Sequence, residues 1–171
     1  LWTSLRELNQ DEQTIVVVPS ADIDIELSAS ELQAYEERFL FMLFLLRQPR
    51  ARMVFVTGQP INPEIVDYVL DLLPGVIQSR ARKRLHFVSP MEARFRSLSR
   101  KLLDRPQLLR RISDLIPDTD RAHLVPFMTT WNDRELAMRL GIPMYGADPA
   151  HAAYGTKSEG RRLFAEAGVR H

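Results

Sequence analysis

Short apolar runs rich in β-branched residues alternate with segments of helical periodicity, and this alternation limits the possible folds more than any other feature of the chain. The first run is continuous, as in a strand that is buried on both faces of a sheet, and the second is likewise predicted to be a buried strand. The runs cover residues 14–19, 52–57, 84–88, 123–128 and 142–145. Because a helical segment separates each run from the next, the pattern predicts an α/β domain: a three-layer Rossmann-like or flavodoxin-like fold with a mainly parallel sheet of about five strands.

Capping signals mark where several of the helices begin. Ser28 and Glu31 have the spacing of a capping box and open a predicted helix. This helix contains the strongest apolar run, residues 39–46, which is much shorter than the roughly 20 residues needed to span a bilayer, so the sequence predicts a buried helix there. Asn132 and Glu135 form a similar capping pair later in the chain.

Pro90 is predicted to begin a helix with an apolar stripe on one side and basic residues on the others. The stripe consists of Met91, Phe95, Leu98 and Leu102. Although the formal net charge of the chain is only +1, residues 80–111 contain eleven lysines and arginines, among them Arg96 and Lys101, against two acids. With the nearby aromatic residue expected in the core, this charge predicts a solvated surface, or one that docks on an acidic partner, rather than a nucleic-acid site.

In a doubly wound parallel sheet, small molecules bind beyond the carboxyl ends of the strands, near the point where the strand order reverses. The candidate substrate-binding residues in the loops at those ends are Ser20, Thr57, Gly58, Thr129, Thr130 and Tyr145. Their hydroxyl and backbone groups could contact a substrate, but turns and helix caps use the same residue types. Both interpretations follow from the sequence.

Several classes of site lack their sequence signatures. Residues 19–22, which follow the first strand, read PSAD rather than the glycine-rich dinucleotide-binding fingerprint, and no Walker A sequence occurs. The chain has no cysteine, and its four histidines lack the spacing of metal ligands. The sequence therefore assigns no catalytic residue and no metal ligand.

A helix is predicted to begin at Lys157, because Thr156 and Glu159 again have capping-box spacing. Gly168 stands where such a helix would end. The unpaired N–H groups and the positive end of the macrodipole at a helix N-terminus favour an anion such as phosphate, and Lys157 adds a cation. An ordinary capped helix with a solvated lysine explains the same residues.

The C-terminal part of the chain carries several motifs in a fixed order. They are LGIPMYG at residues 140–146, Asp148-Pro149, GTKS at residues 155–158 and RLFAEAGV at residues 162–169. This order resembles the N-terminal, pre-ATP-grasp part of ATP-grasp carboxylate–amine ligases related to the pheganomycin peptide ligase. The resemblance covers most of the chain from about residue 14 and is strongest after residue 132.

The resemblance implies a reaction and its partners. ATP would phosphorylate a carboxylate, and an amine would displace phosphate from the acyl phosphate, the substrates being amino acids or peptides. Lys157 matches the lysine that many ATP-grasp enzymes direct at the ATP phosphates. The resemblance further implies that ATP and magnesium are bound mainly by a downstream domain. It points to small-molecule substrates rather than nucleic acid or membrane, to a cytoplasmic location, and allows a homodimer.

The resemblance also divides the chain. Residues 1–155 are expected to form the pre-ATP-grasp domain, and residues 156–171 the start of a connection to an ATP-grasp domain that this chain lacks. On this interpretation the chain is an N-terminal fragment of a ligase and is catalytically inactive by itself. The alternative is a stand-alone Rossmann-like or flavodoxin-like domain that binds a small molecule or a protein partner without catalysis of its own.

Overall fold

The computed structural model describes residues 12–21 and 26–170, which form an α/β domain around a parallel sheet. The strands of this sheet are β1 Gln13–Val18, β2 Ala51–Val56, β3 Leu85–Val88 and β4 Ala122–Pro126. Their spatial order is β3-β2-β1-β4, and every neighbouring pair is parallel. The predicted fold class is therefore confirmed, with the reversal of strand order lying between β1 and β4.

The fifth predicted strand, residues 142–145, contributes a single bridge to the sheet. Met144 pairs with Leu124 in a parallel sense. The N–H of Leu124 donates to the carbonyl of Pro143 at 2.8 Å, and the N–H of Tyr145 donates back to Leu124 at 2.7 Å. Since proline has no N–H and Gly146 turns the chain at a φ of 153°, the pairing cannot extend along this segment.

Helices cover both faces of the sheet. They are α1 Ala29–Glu37, a 3₁₀ helix Arg38–Arg47, α2 Pro63–Asp71, α3 Gln78–Arg82, α4 Leu98–Leu103, α5 Pro106–Asp114, α6 Trp131–Leu140, a second 3₁₀ helix Pro149–Gly155, and α7 Lys157–Glu166. Ser28 and Glu31 form the predicted capping box of α1. Thr156 caps α7, and Gly168, with a φ of 68°, follows its end as predicted.

The two faces of β1 and β2 each belong to a separate apolar core. Val16 and Val18 pack with α4, α5 and α6, whereas Ile15 and Val17 pack with the first 3₁₀ helix and α2. All four side chains are at most 2% exposed. Burial on both faces explains why these strands read as continuous apolar runs, and it gives the three layers that the sequence predicts.

Every third residue of the apolar run 39–46, beginning at Leu40, is buried in the core. Leu40, Leu43 and Leu46 face the core with at most 3% exposure, whereas Phe41 and Phe44 remain 59% and 47% exposed. A 3₁₀ helix has three residues per turn, so residues three apart lie on one line. The predicted buried helix is confirmed, and its tighter winding sets which leucines enter the core.

Two helix starts differ from the prediction. Residues 89–96 are a loop rather than the first turns of a helix, because Met91 adopts a φ of 55°, and α4 begins only after Ser97, whose side chain caps it. The capping box of α6 consists of Thr130 and Asp133 rather than Asn132 and Glu135. Both pairs have the same spacing, and the buried carboxylate of Asp133 selects the earlier one.

We predict that Leu43→Ala lowers the free energy of unfolding by about 3 kcal/mol, because it removes a fully buried side chain from the core below the sheet. The matched change Phe44→Ala, at the next and half-exposed position, should cost less than about 1 kcal/mol. Chemical denaturation of the two variants measures the difference. Equal losses would contradict the three-residue burial pattern.

Candidate functional site

The carboxyl ends of the strands meet at one edge of the sheet, and the loops there carry most of the predicted site residues. Ser20 follows β1, Thr57 and Gly58 follow β2, and Thr129 and Thr130 follow β4. Open parallel sheets bind ligands at this edge. The structure divides these residues into a group that the fold itself uses and a group that lines a cleft.

Ser20 belongs to the first group. Its side chain is fully buried, and its Oγ lies 3.1 Å from the Oγ of Ser97 and accepts a hydrogen bond from the N–H of Ser99 at 3.3 Å. The hydroxyl of Ser99 in turn donates to the carboxylate of Asp133. This chain of hydrogen bonds ties the end of β1 to the first turn of α4 and to α6.

Thr130 closes the same network. Its hydroxyl and its N–H both donate to Oδ2 of Asp133, at 2.6 Å and 3.0 Å, and its Oγ accepts from the N–H of Asp133. The hydroxyls of Ser20 and Thr130 are thus engaged in hydrogen bonds within the protein. Whether either residue also contacts a substrate stays a prediction.

Gly58 is held by a buried carboxylate. Its N–H donates to Oε2 of Glu36 at 2.6 Å, and Glu36 is only 2% exposed. A Cβ at position 58 would lie 3.1 Å from Oε1 of Glu36 and 3.2 Å from the carbonyl oxygen of Glu92. A larger residue here would force the Glu36 carboxylate or the carbonyl of Glu92 to shift by a few tenths of an ångström, because both approach the turn after β2 closely.

Burial raises the pKa of the Glu36 carboxyl to about 7, against the lowering effects of the Gly58 N–H and the nearby Lys101 ammonium. Burial also lowers the pKa of Lys101, which the Glu36 carboxylate opposes. The side chain of Lys101 is 0% exposed, and its Nζ donates to the carbonyl of Glu92 at 3.0 Å. The carboxyl of Glu36 and the ammonium of Lys101 are thus buried near each other, beneath the loop that follows β3.

The buried position of Lys101 corrects the prediction that the basic segment is uniformly solvated. Arg96 is exposed as expected and forms an ion pair with Asp104 at 2.5 Å. Lys101 instead lies one turn after Leu98 on the inner side of α4, where it reaches the loop backbone. Arg105 anchors the same loop through the carboxylate of Glu92, which lowers the pKa of that carboxyl.

A cleft of about 310 Å³ opens at the ends of β2 and β3 and contains the second group of polar residues. Thr57 and Ser89 line it, together with Arg111 from α5. The Oγ of Ser89 donates to the carbonyl of Gly58 at 2.9 Å and accepts from the N–H of Met91 at 3.1 Å, which fixes the loop at the mouth of the cleft. Sequence reasoning identified Thr57 but missed Arg111.

Thr129 and Tyr145 come together at the end of β4. A Cβ at Gly146 would overlap the Cγ2 of Thr129, so the turn after Tyr145 packs directly against the loop after β4. The side chain of Tyr145 is 75% exposed, and its ring faces His123 at a centroid distance of 6.4 Å. These residues form a surface on the β4 side, separate from the cleft at β2 and β3.

Lys157 is the first residue of α7 and is exposed. Among the described residues it lines an open hollow with Ser158, Gly160, Arg161 and Phe164, which belong to the same helix. Within this part of the chain no residue of α7 is buried, and the helix packs mainly against the preceding 3₁₀ helix. The structure therefore does not bring Lys157 next to the other predicted site residues.

Within residues 12–21 and 26–170, no three His, Cys, Asp or Glu side chains come together in a group that could hold a metal ion. No helix in this part of the chain combines the length and the apolar character required to cross a bilayer.

The raised pKa of Glu36 leads to a prediction about pH. Between its ordinary value of 4.5 and about 7 the folded protein binds more protons than the unfolded chain, so this carboxyl lowers stability as pH rises through that window. Glu36→Gln keeps an acceptor for the Gly58 N–H and removes the charge. The stability of this variant relative to wild type should therefore rise across the window, by on the order of 3 kcal/mol.

Denaturation of both proteins at several pH values measures this effect. The matched control is Glu64→Gln, the same change at an exposed residue in the first turn of α2, which does not contact the Gly58 N–H. A difference between Glu36→Gln and wild type that stays constant from pH 4.5 to 7 would show that the Glu36 carboxyl does not titrate as described.

Comparison with known proteins gives two relatives. The chain is 29% identical over 139 residues to L-propargylglycine–L-glutamate ligase from Streptantibioticus cattleyicolor, an alignment that covers 78% of this chain and 28% of the ligase. It is 26% identical over 187 aligned positions to IQ motif-containing protein H from Danio rerio, covering 99% of this chain and 18% of that protein. The chain thus spans less than a third of the length of either relative. No solved structure matches it significantly.

The family model described as the pre ATP-grasp domain matches residues 42–142, which is more than half of the chain. These residues include β2, β3 and β4, together with the helices from α2 to α6, and so contain the cleft and most of the buried polar network. The chain belongs to the pre-ATP-grasp domain family.

Proposed function

We propose that this chain is the pre-ATP-grasp part of an ATP-dependent ligase that joins a carboxylate to an amine. The observation that carries the proposal is the family match over residues 42–142, joined by the similarity to a protein named as an amino acid ligase. The name of that relative describes the joining of two amino acids. By analogy, the substrates proposed here are amino acids or peptides. The proposal includes a cytoplasmic location and allows a homodimer.

The role proposed for Lys157 is to contact the phosphates of ATP. The lysine is exposed at a helix N-terminus, and no ion pair engages it within the described residues. Within residues 12–21 and 26–170, a Cβ added at Gly160 would meet nothing within 4 Å, so this part of the chain leaves the face of α7 beside Lys157 open. In a ligase of this kind ATP supplies the phosphoryl group that activates the carboxylate as an acyl phosphate, and magnesium neutralises the phosphate charge.

The role proposed for the chain itself is to bind and position. A helix N-terminus with a nearby lysine favours phosphate oxygens through its N–H groups and its dipole. The carboxyl edge of the sheet offers a separate cleft for an organic substrate. Most contacts to ATP, and the ligands of magnesium, are proposed to come from another part of a longer protein, since both relatives extend well beyond this chain.

A second candidate function is a binding or interaction domain without catalysis. The observation that favours it is the alignment with IQ motif-containing protein H, which covers 99% of this chain and whose name states no activity. Such a domain would use the same cleft at the carboxyl edge. The two candidates differ in whether the complete protein consumes ATP when it is given an acid and an amine.

We predict that Lys157→Ala weakens ATP use by at least about tenfold in the complete protein, equivalent to about 1.4 kcal/mol, because a cation beside the phosphates is lost. The effect should appear in the KM for ATP or in kcat. Folding should be unchanged or slightly improved, since a lysine in the first turn opposes the helix dipole. Steady-state release of phosphate measures turnover.

The matched control is Lys83→Ala, which removes another exposed lysine at the end of α3. This change should leave ATP use at the wild-type level. If Lys157→Ala also keeps the wild-type KM and kcat, then Lys157 is an ordinary solvated lysine at the start of a capped helix.

We also predict that the 171-residue chain is folded but inactive by itself. With ATP and magnesium, calorimetry should show binding no tighter than millimolar, about −4 kcal/mol, because one helix terminus supplies few contacts. Micromolar binding of ATP, or any turnover by this chain alone, would contradict the proposed division of the site.

A further inference from the structure

The cleft at the ends of β2 and β3 contains polar groups that the fold leaves available. Its volume of about 310 Å³ is at the lower end of the range of small-molecule sites. The residues that line it include Thr57, Ile61, Val66, Phe87, Ser89 and Arg111. They come from β3, from α2 and α5, and from the loops that follow β2 and β3, so the cleft is built by tertiary packing rather than by one element.

Thr57 places a hydroxyl in the cleft. The residue is only 1% exposed, and its N–H is used in the sheet, where it donates to the carbonyl of Val88 at 3.1 Å. Within residues 12–21 and 26–170 the hydroxyl itself has no hydrogen-bond partner. A hydroxyl at a cleft that bonds to nothing in the described part of the fold keeps its hydrogen-bonding capacity for a ligand.

Arg111 places a guanidinium at the same cleft. It lies in the last turn of α5, is exposed, and has no ion pair within the described residues. The other arginine that lines the cleft, Arg82, is already bound to the carboxylate of Asp67 and to the carbonyl of Pro63 at 3.1 Å. Arg111 is therefore the cation left for a ligand, and its planar fork suits a carboxylate.

The remaining wall of the cleft is apolar. Ile61 and Val66 are 9% and 1% exposed, and the ring of Phe87 packs against Phe55 with a centroid distance of 5.8 Å. This wall is fixed by the core below it, so it presents a preformed surface to an apolar group. A ligand that joins a carboxylate to a short apolar side chain matches both parts of the cleft.

We propose that this cleft binds a small carboxylic acid with an apolar side chain, of the class of the apolar α-amino acids. Arg111 pairs with the carboxylate, Thr57 bonds to a polar group near it, and Phe87 with Val66 contacts the side chain. The identification of this acid as a ligase substrate rests on the proposed function. The existence of the binding site does not.

A larger cleft, of about 410 Å³, lies at the opposite, amino-terminal edge of the sheet and is lined by several arginines. These arginines are engaged within the protein. Arg84 donates to backbone carbonyls at the end of the first 3₁₀ helix, Arg52 lies 3.0 Å from the Nε2 of His86, and Arg121 lies 3.8 Å from the carboxylate of Asp118. The cleft at β2 and β3 is therefore the better site for an acid.

The test is NMR titration of the isotope-labelled 171-residue chain with L-leucine, L-methionine and L-phenylalanine. We expect at least one of them to bind in the millimolar range and to shift the amide resonances of Thr57, Phe87 and Ser89. L-Leucinamide, L-methioninamide and L-phenylalaninamide, which lack the carboxylate, should bind much more weakly. If no amino acid shifts the cleft resonances, or if the amides bind equally well, the proposal is wrong.

Two variants test the assigned contacts. Arg111→Gln should weaken binding by about tenfold, because it removes the charged half of the pair. Its matched control is Arg110→Gln, the same change at the neighbouring exposed residue, which does not line this cleft and should leave binding unchanged. Equal weakening by both changes would show a general effect of charge and would overturn the site.

Thr57→Val provides a second variant of nearly the same shape. Because the hydroxyl bonds to nothing in the described part of the fold, this change should leave the free energy of unfolding unchanged while weakening amino acid binding several-fold. A loss of stability with unchanged binding would show that the hydroxyl serves the fold and not a ligand.

Ligase assays on the complete protein distinguish a failure of this inference from a failure of the proposed function. If Arg111→Gln raises the KM for the acid and leaves the KM for ATP unchanged, the cleft is the acid site of a ligase. If the complete protein has no ligase activity but the cleft binds amino acids, the proposed function fails and the site stands. If ligation proceeds and Arg111→Gln changes nothing, the inference alone fails.

Discussion

The hydrogen bond from the Gly58 N–H to the buried carboxylate of Glu36 is the contact on which the carboxyl edge of the sheet depends. It fixes the turn after β2 to α1, and the carbonyl of Gly58 accepts from Ser89 and from the N–H of Glu92, which fixes the loop after β3. Lys101 then binds that loop from α4. The burial of the Glu36 and Lys101 charges is unfavourable, and their mutual attraction, with one hydrogen bond to Gly58 and one to the carbonyl of Glu92, offsets part of that cost.

The sequence predicted the sheet well because each strand carries its own signal. β1 and β2 are buried on both faces, so residues 15–18 and 53–56 are all apolar, and these continuous runs could be read without knowledge of neighbours. The loop at residues 89–96 was predicted as a helix, because its apolar spacing fits one. Tertiary contacts override that spacing, because Ser89 and Glu92 form hydrogen bonds with Gly58, which is 31 or more residues earlier in the chain.

The residues that line the cleft could be predicted only in part, because some are placed by the local sequence and others by tertiary packing. Thr57 was found because its place at the end of a strand is a local property, whereas Arg111 comes from a helix whose approach to β3 depends on packing. The sequence does contain a local signal for one member of the buried Glu36–Lys101 pair. Glu36 lies four residues from both Leu32 and Leu40, which are buried, and a charged residue in phase with a buried stripe marks a position where the core holds an ionisable group.

The geometry of the carboxyl edge bears on how a ligase could use this domain. Ser20 and Thr130 are engaged in hydrogen bonds on the β1–β4 half, and the cleft with Arg111 opens on the β2–β3 half. Since β3 and β4 are three strand spacings apart, about 14 Å, an acid in the cleft lies away from the β4 side, where Met144 bridges to the sheet and the chain leads on to α7. Under the proposed function, a reaction at the acid requires a further wall that brings ATP to the cleft.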